Sequence, residues 1–441
     1  MTDVRVPTIG LAEMSLSESD ALYRRVTLRL MPFLVICYLT AYLDRANISF
    51  AKLQFMGDLG FSEAAYGLGA GLFFLGYVLF EVPSNMLMQR IGARQTLARI
   101  MVLWGLISAG MMFVSSPAQL YVMRFLLGAA EAGFFPGLVY YFTFWYPPYW
   151  RGRVIGYLTM GAAGAGIIGA PLSTWIMVHF ADVLGLRGWQ WLFLVEGVPA
   201  VILGCIAFFL LTDRPEKAAW LSPREKAIIK VDTMVAGEAH HGGMRSLRDA
   251  LRNPMLYVGI IVYFCIMMPF NAITFWMPTL LKDIGMKDLF EIGLLSGLVF
   301  FAGGLGTYLV GRSSDRAMER RWHLTACCVV IAASFALLPL ASHSVAMTVV
   351  LLACACLAAY GGFVVFWTIP PTFLSGETKA PGIALITSLG GIGAFVSPTL
   401  VGWAKTEFGT VYTGLMVLGV VAVIGAMLIV VTVKRPVSGK A

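Results

Sequence analysis

The stretch FLVICYLTAYLDRANISF, residues 33–50, is apolar enough to lie inside a membrane, yet it contains two adjacent charges, Asp44 and Arg45. A second apolar stretch, LYVMRFLLGAAEAGFFPGLVYYF, contains Arg124 and Glu131. A charge at the centre of a membrane span costs roughly 3 kcal/mol or more unless it faces a polar cavity or a partner. Two acids and two bases in such positions therefore indicate a transport pathway.

The composition of the 441-residue chain is that of an integral membrane protein, because 59% of its residues are hydrophobic and only 13% are charged. Crossing the hydrocarbon layer takes about 20 apolar residues in a helix. Twelve such runs are predicted, at residues 28–50, 64–89, 95–115, 118–145, 153–178, 189–211, 255–281, 290–311, 322–342, 346–374, 380–402 and 411–433. We therefore predict an all-α membrane protein with twelve transmembrane helices in two pseudo-symmetric six-helix bundles.

A polar segment divides the chain in the middle. It contains DRPEKAAWLSPREKAIIK, in which Ser222, Pro223 and Glu225 fit the N-cap, N1 and N3 positions of a short helix. Similar glycine-rich runs, GAAGAGIIGAP and GGIGAFVSP, occur in helices 5 and 11, and such repeats suggest a substrate site between two halves. The predicted organisation is a cytoplasmic segment at 1–27, a first bundle at 28–211, a cytoplasmic linker at 212–254, a second bundle at 255–433 and a cytoplasmic tail at 434–441.

Lysine and arginine predict the orientation, because cytoplasmic loops carry the positive excess. With both termini in the cytoplasm, 25 of the 32 basic residues lie on the cytoplasmic side, five lie on the opposite side and two lie in the membrane. The net charge of +8 is thus a topology signal, and no nucleic-acid partner is expected. We expect a monomer embedded in the lipid of the inner membrane.

The sequence offers no cofactor site. The seven cysteines lie in or beside apolar spans, where they act as small hydrophobic residues. Cys354 and Cys356 lack a second ligand pair, and His240-His241 alone is a weak metal signal. No nucleotide-binding loop of the G-x-x-x-x-G-K type occurs. We expect no enzyme activity, no metal and no cofactor, with the proton as the coupling ion.

Several long strings resemble one known family: YLDRANISFA, FFLGYVLFEVPSN, RFLLGAAEAGFFPG with the RGR after it, WQWLFLVEGVPA, DRPEKAAWLSPREK and WTIPPTFLSG. The chain resembles the major facilitator superfamily, and within it the anion:cation symporter family that includes bacterial sugar-acid, tartrate and phthalate permeases. The resemblance implies a proton-coupled carrier that works by alternating access. It also implies that Tyr42 and Tyr77 line the cavity and offer hydroxyl contacts, with plain packing as the alternative for both rings.

The chain departs from the family pattern in the first cytoplasmic gate. Gln89 stands where the loop signature usually has an acid, whereas Asp315 keeps the acid in the second copy. A gate would therefore rest on Glu81 with Arg90 and Arg94, or on Asp315. The other predicted gate residues are Arg151, Arg153 and Arg316, for which anchoring at lipid headgroups is the alternative.

The four buried charges receive separate roles. Asp44 and Arg45 diverge by about 100° around helix 1, so each needs its own partner. Arg124 and Glu131 lie two turns apart on one face of helix 4, about 10.5 Å along the axis. A static salt-bridge network that only locks the first bundle is the alternative to a functional site.

In the functional interpretation, charge competition couples proton binding to anion binding. Protonation of an acid frees Arg45 or Arg124 for charge-assisted bonds with a carboxylate. The apolar surroundings GAAEAGFF favour the neutral form of Glu131, which is the predicted main proton carrier, with Asp44 as the second. Arg45 is the predicted carboxylate anchor, and Arg124 is its helper or the counter-ion of the acids.

The second bundle has no equivalent charges. Asn271, Trp367 and Thr368 are predicted to contact the rest of the substrate by hydrogen bonding and stacking, although packing is again the alternative. Glu196, about two turns into helix 6, is predicted to serve helix packing or gating.

Together these features predict a proton-coupled symporter that imports a small hydroxylated carboxylate such as a sugar acid or tartrate. An aromatic carboxylate of the phthalate or hydroxyphenylacetate type is the alternative substrate. An efflux pump for amphiphiles and a membrane sensor are more remote alternatives, because a pump would not need two buried arginines and no added soluble domain is present.

Overall fold

The computed structural model describes residues 16–234, 244–374 and 378–433, and within these ranges it contains fifteen α-helices and no strand. The helices are α1 Leu16–Leu59, α2 Glu63–Ile91, α3 Ala93–Gly110, α4 Pro117–Glu131, α5 Phe134–Trp145, α6 Pro148–His179, α7 Gly188–Leu210, α8 Pro223–Met234, α9 Met244–Leu251, α10 Pro254–Asp283, α11 Leu289–Ala317, α12 Arg321–Leu337, α13 Val345–Phe366, α14 Lys379–Phe408 and α15 Val411–Thr432.

Within these described ranges, twelve helical spans are long and apolar enough to cross a membrane, with α4 and α5 together forming the fourth. The predicted all-α architecture of twelve transmembrane helices is confirmed. Six spans, α1 to α7, precede the linker helices α8 and α9, and six, α10 to α15, follow them. The predicted tail 434–441, the first fifteen residues of the N-terminal segment and the His240-His241 pair lie outside the described residues.

The first helix is longer than its apolar run. It begins at Leu16 and ends at Leu59, whereas hydropathy predicts 28–50. The polar extension is stabilised by the linker: Tyr23 is fully buried, and its hydroxyl donates a 2.7 Å hydrogen bond to Asp232 on α8. Tertiary contact therefore extends the helix beyond the hydrocarbon.

The predicted capping box of the linker helix is confirmed. The Ser222 backbone N–H donates to the Glu225 carboxylate at 2.8 Å, and the Glu225 N–H donates back to the Ser222 hydroxyl at 3.3 Å. Although partial burial opposes it, these bonds and the ion pair with Arg25 on α1 hold the pKa of Glu225 below its usual value. This ion pair joins α8 to the first six-helix half.

The two halves are in contact on the side of the molecule remote from the linker. Lys282, at the end of α10, donates a 2.5 Å hydrogen bond to the Leu53 carbonyl near the end of α1. Tyr66, near the start of α2, donates to the Phe275 carbonyl at 2.8 Å. A side chain at Gly67 would place its Cβ 2.4 Å from the Pro398 carbonyl oxygen, so glycine permits α2 and α14 to touch. We call this side the sealed side and the other the linker side.

Candidate substrate and proton site

The centre of the first half holds an ion pair between α1 and α4. The Arg45 guanidinium donates to the Glu131 carboxylate, and Glu131 is buried while the Arg45 side chain keeps 21% of its surface exposed. The two predicted aromatic ligands surround the same arginine: the Arg45 Cζ atom lies 4.9 Å from the ring centroid of Tyr42 and 5.6 Å from that of Tyr77. The structure thus brings four predicted site residues together.

Glu131 lies at a break in the fourth span. Helix α4 ends at Glu131 and α5 begins at Phe134, with Gly133 between them in the left-handed conformation at φ +88°. A carboxylate at the C-terminal end of a helix meets the negative end of the helix dipole. The break therefore makes the ionised form of Glu131 dependent on Arg45.

Asp44 has neutral donors around it. Its carboxylate accepts a 2.9 Å bond from Trp104 Nε1 and a 2.6 Å bond from the Ser108 hydroxyl, both on α3. The Asn47 amide nitrogen lies 3.5 Å away. Among the described residues no cation lies within 4 Å of this carboxylate. Asp44 and Arg45 therefore have separate partners, as their divergence around the helix predicts.

Arg124 differs from the other three charged residues because it lacks a hydrogen-bond partner among the described residues. It has no exposed surface, and all three of its guanidinium nitrogens lack a hydrogen-bond partner. Its Cζ atom lies 5.0 Å from the centroid of the Phe73 ring, and Arg45 lies 5.2 Å from the same ring. A buried charge without an acceptor is costly. An anion between the two arginines would supply the missing acceptors.

The predicted residues of the second half have other partners. The Asn271 amide donates at 2.8 Å to the Met267 carbonyl of its own helix, and the Thr368 hydroxyl donates at 2.7 Å to Val365. Trp367 lies in a group of rings, 5.2 Å between centroids from Tyr263. Within the described part of the chain, no hydrogen bond or ring contact joins any of the three to Arg45 or Arg124.

Six aromatic side chains of the second half form a connected group, which we call the aromatic wall. It consists of Tyr263 and Phe270 on α10, Tyr360, Phe363 and Phe366 on α13, and Trp367. The Phe270 ring lies 4.6 Å from that of Tyr360 and 5.8 Å from that of Phe363 between centroids, with both pairs tilted. Helix α10, which carries Tyr263 and Phe270, packs against α1, which carries Tyr42 and Arg45. The aromatic wall therefore lies partly on a helix that adjoins the charged cluster.

The predicted gate residues of the first half are on the linker side, but the structure does not pair them as a clamp. Glu81 is partly buried, and no ion pair joins it to Arg90 or Arg94 in the described ranges. Instead, the backbone N–H of Arg94 donates at 2.8 Å to Asp213 at the start of the linker.

The other predicted gate residues bind locally. Arg151 donates to the Tyr146 carbonyl at 2.9 Å, and Arg153 lies 4.8 Å over the Trp150 ring. In the second half, Asp315 pairs with Arg320 at 2.6 Å rather than with Arg316, which is exposed. Their roles in gating stay predictions.

Sequence reasoning missed the residues that hold the charges in place. Trp104, Ser108 and Phe73 lie in spans that read as ordinary apolar helices, and nothing in their spacing distinguishes them. Asn47 offered the one available signal, since it is an amide one turn after Asp44. In the described ranges no group of three or more His, Cys, Asp or Glu side chains could hold a metal ion.

A polytopic helical protein with two six-helix halves, and with unmatched charge at the centre of one of them, belongs to the class of secondary transporters. The model of the Major Facilitator Superfamily matches residues 34–381. The chain belongs to this superfamily, and it is therefore a multi-pass membrane transporter of small molecules, without enzyme activity and without need of a cofactor.

Its relatives include several bacterial transporters. The chain is 46% identical over 412 residues to NicT of Pseudomonas putida, named for metabolite transport, covering 93% of this chain and 94% of the relative. It is 39% identical over 416 residues to a protein of Agrobacterium vitis named as a tartrate transporter, covering 93% and 91%. It is 38% identical over 419 residues to a quinolone resistance transporter of Acinetobacter baumannii, covering 93% and 94%. These relatives confirm the resemblance to anion:cation symporters.

Solved structures agree on the fold. A bacterial homologue of the human lysosomal transporter Spinster superposes with a TM-score of 0.75 at 16% identity, covering 94% of this chain and 97% of that one. At this identity the likeness concerns the fold alone.

Proposed function

We propose that the protein is a proton-coupled symporter that imports a small organic carboxylate, with hydroxycarboxylates such as a sugar acid or tartrate as the leading class. One observation carries this proposal: Arg124 is fully buried, and its guanidinium group has no acceptor. A planar guanidinium binds a carboxylate through two parallel hydrogen bonds. The relative named for tartrate transport supports the same class.

The coupling follows from the charges. Asp44 and Glu131 balance Arg45 and Arg124 when both acids are ionised, so an incoming anion meets no net positive charge. Protonation of Glu131 removes the negative charge that pairs with Arg45, and both guanidinium groups then become available to the substrate carboxylate. Proton and anion each favour the binding of the other, because each relieves a cost that the other creates.

The loop charges support an orientation in the membrane. Positive residues are concentrated on the linker side in the sequence, which supports a cytoplasmic position of both termini and the linker in an inner-membrane protein. The sealed side then faces outward. In a rocking cycle the contacts between Lys282 and Leu53 and between Tyr66 and Phe275 break, and the site opens outward for proton and anion.

Aromatic carboxylates are the second candidate substrates, because the aromatic wall lies partly on α10, which packs against the helix of Arg45. Offset stacking on an aromatic side chain is worth about 0.5–1.5 kcal/mol beyond the buried area. An aromatic acid would bind its carboxylate to Arg124 and stack its ring on residues such as Phe270 or Phe363. A hydroxy acid would instead need the hydroxyl groups of Tyr42 and Tyr77.

The first experiment identifies the ligand. The purified protein is screened by thermal shift against tartrates, sugar acids, phthalate and hydroxyphenylacetate at acid and neutral pH, with a fluoroquinolone included, since a ligand of the folded state stabilises it by mass action. We expect carboxylates to raise the melting temperature, and to do so more at acid pH. A shift only with neutral or cationic compounds contradicts the proposal and favours efflux.

The second experiment tests coupling in proteoliposomes with the best ligand of the screen. Glu131→Gln should abolish accumulation driven by a pH gradient but spare counterflow exchange, which needs no net proton movement. Glu407→Gln, at an exposed position on the sealed side, is the matched control. If Glu131→Gln affects neither accumulation nor exchange, the role of Glu131 is wrong.

A further inference from the structure

Glu196 on α7 is a buried acid that the charge competition described above does not use. Only 4% of its surface is exposed. One carboxyl oxygen accepts a 2.7 Å hydrogen bond from the Ser173 hydroxyl on α6, and the other has no hydrogen-bond partner. Among the described residues no Lys, Arg or His lies within 4 Å of it.

The elements around Glu196 supply no counter-charge at its level. On α1 the facing groups are Asp44 and Asn47. The charged residues of α3 and α6 lie elsewhere along these helices, near the linker side or at the sealed end: Arg94, Arg99, Arg151, Arg153 and His179. An unpaired carboxylate in such an interior costs several kcal/mol, whereas a carboxylic acid needs only a hydrogen-bond acceptor.

Asn47 on α1 lies near this carboxyl group. The Asn47 amide oxygen and the second Glu196 oxygen are both buried acceptors without a hydrogen-bond partner in the described part of the chain. A proton on Glu196 turns one of these two acceptors into a donor. The Asn47 amide nitrogen lies 3.5 Å from the Asp44 carboxylate, so Asn47 lies between the two acids.

Glu196 and Asp44 thus have opposite surroundings. Asp44 accepts two strong hydrogen bonds, from Trp104 and Ser108, that favour its charged form. Glu196 has one hydroxyl donor and no cation. These contrasting environments favour a single proton on Glu196 and a charged Asp44.

Glu196 and Asp44 lie at different depths relative to the sealed side. Glu196 is eight residues from the sealed-side start of α7, about 12 Å along the axis, whereas Asp44 is fifteen residues from the sealed-side end of α1, about 22 Å. Glu196 is therefore nearer the sealed side, from which an importer would take its protons.

We propose that Glu196 is a proton-binding residue of the transport cycle, linked to Asp44 through Asn47, and that it supplies the proton that neutralises Asp44 when a substrate anion binds Arg124. The O–H bond at Glu196 breaks and an O–H bond forms at Asp44, so one proton moves inward and one negative charge moves outward. Glu196 is protonated again when the sealed side opens. The role in transport rests on the proposed proton coupling, whereas the bound proton does not.

Infrared spectroscopy tests the bound proton without any substrate. A protonated carboxylic acid has a C=O stretching band that a carboxylate lacks. We expect the purified protein at neutral pH to show this band from a group shielded from solvent, and Glu196→Gln to lose it. Glu407→Gln, at an exposed position, should leave the band unchanged. Asn47→Leu should keep the band but shift it, because the amide near the carboxyl group is removed.

A second measurement tests the role in transport, with tartrate as the probe in proteoliposomes. Glu196→Gln should lose accumulation driven by a pH gradient and keep counterflow, while gel filtration checks that the variant is folded.

An infrared spectrum of Glu196→Gln identical to that of the wild type overturns the proposal. Loss of the band with unchanged pH-driven accumulation overturns the role in the cycle. If the wild type shows no pH-driven uptake of any carboxylate, the proposed function fails, while the band still decides whether Glu196 holds a proton.

Discussion

The Nζ atom of Lys405 on α14 lies 2.8 Å from the carboxylate of Glu63 on α2, so this ion pair crosses from one half of the transporter to the other on the sealed side. The same carboxylate lies 2.6 Å from Lys52, and Lys405 also lies 2.8 Å from Asp283. The Lys52 ammonium is buried, 3.9 Å from the centroid of the Trp276 ring. The cluster must break when this side opens.

Glu63→Gln should therefore favour opening of the sealed side. Because Glu63 also pairs with the buried Lys52, its loss is expected to cost about 3 kcal/mol or more, at least a hundredfold shift in the equilibrium. A cysteine placed at Ala70, in a background without the native cysteines, should react faster with a membrane-impermeant maleimide in this variant. Lys287→Met, at an exposed position on the same side, is the control and should not change the rate. An unchanged rate in Glu63→Gln contradicts a sealing role.

Arg124→Met should raise the stability of the substrate-free protein while it removes ligand binding. Replacing a buried charge that lacks an acceptor with an apolar side chain of similar length is expected to stabilise by about 1–4 kcal/mol. Thermal unfolding with and without the best carboxylate ligand measures both effects. Arg312→Met, at an exposed position, should leave ligand stabilisation intact. A destabilised Arg124→Met that still responds to ligand would show that Arg124 has a structural role instead.

Gly133→Ala should destabilise the break between α4 and α5. The backbone at Gly133 is left-handed, which costs other residues about 1–2 kcal/mol, and a Cβ there would lie 2.6 Å from the Ser84 hydroxyl. Gly156→Ala is the matched control, since its Cβ would meet no atom within 4 Å and should add up to about 1 kcal/mol of helix stability. Thermal unfolding compares the two variants, and equal melting temperatures would contradict the strain at the break.

The docking of the linker helix α8 on α1 should depend on pH. The folded protein holds the pKa of Glu225 below its ordinary value, so this contribution is present above roughly pH 4.3 and is lost as the pH falls through the lowered pKa. Limited proteolysis of the linker should be slow at neutral pH and faster below pH 4. Arg25→Ala should give faster cleavage at neutral pH and a weaker pH dependence. Cleavage independent of pH in the wild type would contradict this role of the ion pair.

Several of these features could be predicted from the sequence, because they are local. Ser222 and Glu225 form the expected capping box, since its hydrogen bonds span only three residues. Asp44 and Arg45 have separate partners, as their adjacent positions on a helix require. The identity of those partners could not be predicted, because Trp104 and Ser108 lie some sixty residues away on a span that reads as uniformly apolar.

By itself the sequence determined that this chain crosses the membrane twelve times, that its family is that of the major facilitators, and that four charges lie inside one half. The length of a hydrophobic segment and the cost of a charge inside it depend on that segment alone, so they can be predicted from the local sequence. The tertiary structure alone decided that Arg45 pairs with Glu131, that Arg124 pairs with neither acid, and that Glu196 lies beside Asn47. Those relationships depend on how distant helices are rotated and packed against each other, which no single segment encodes.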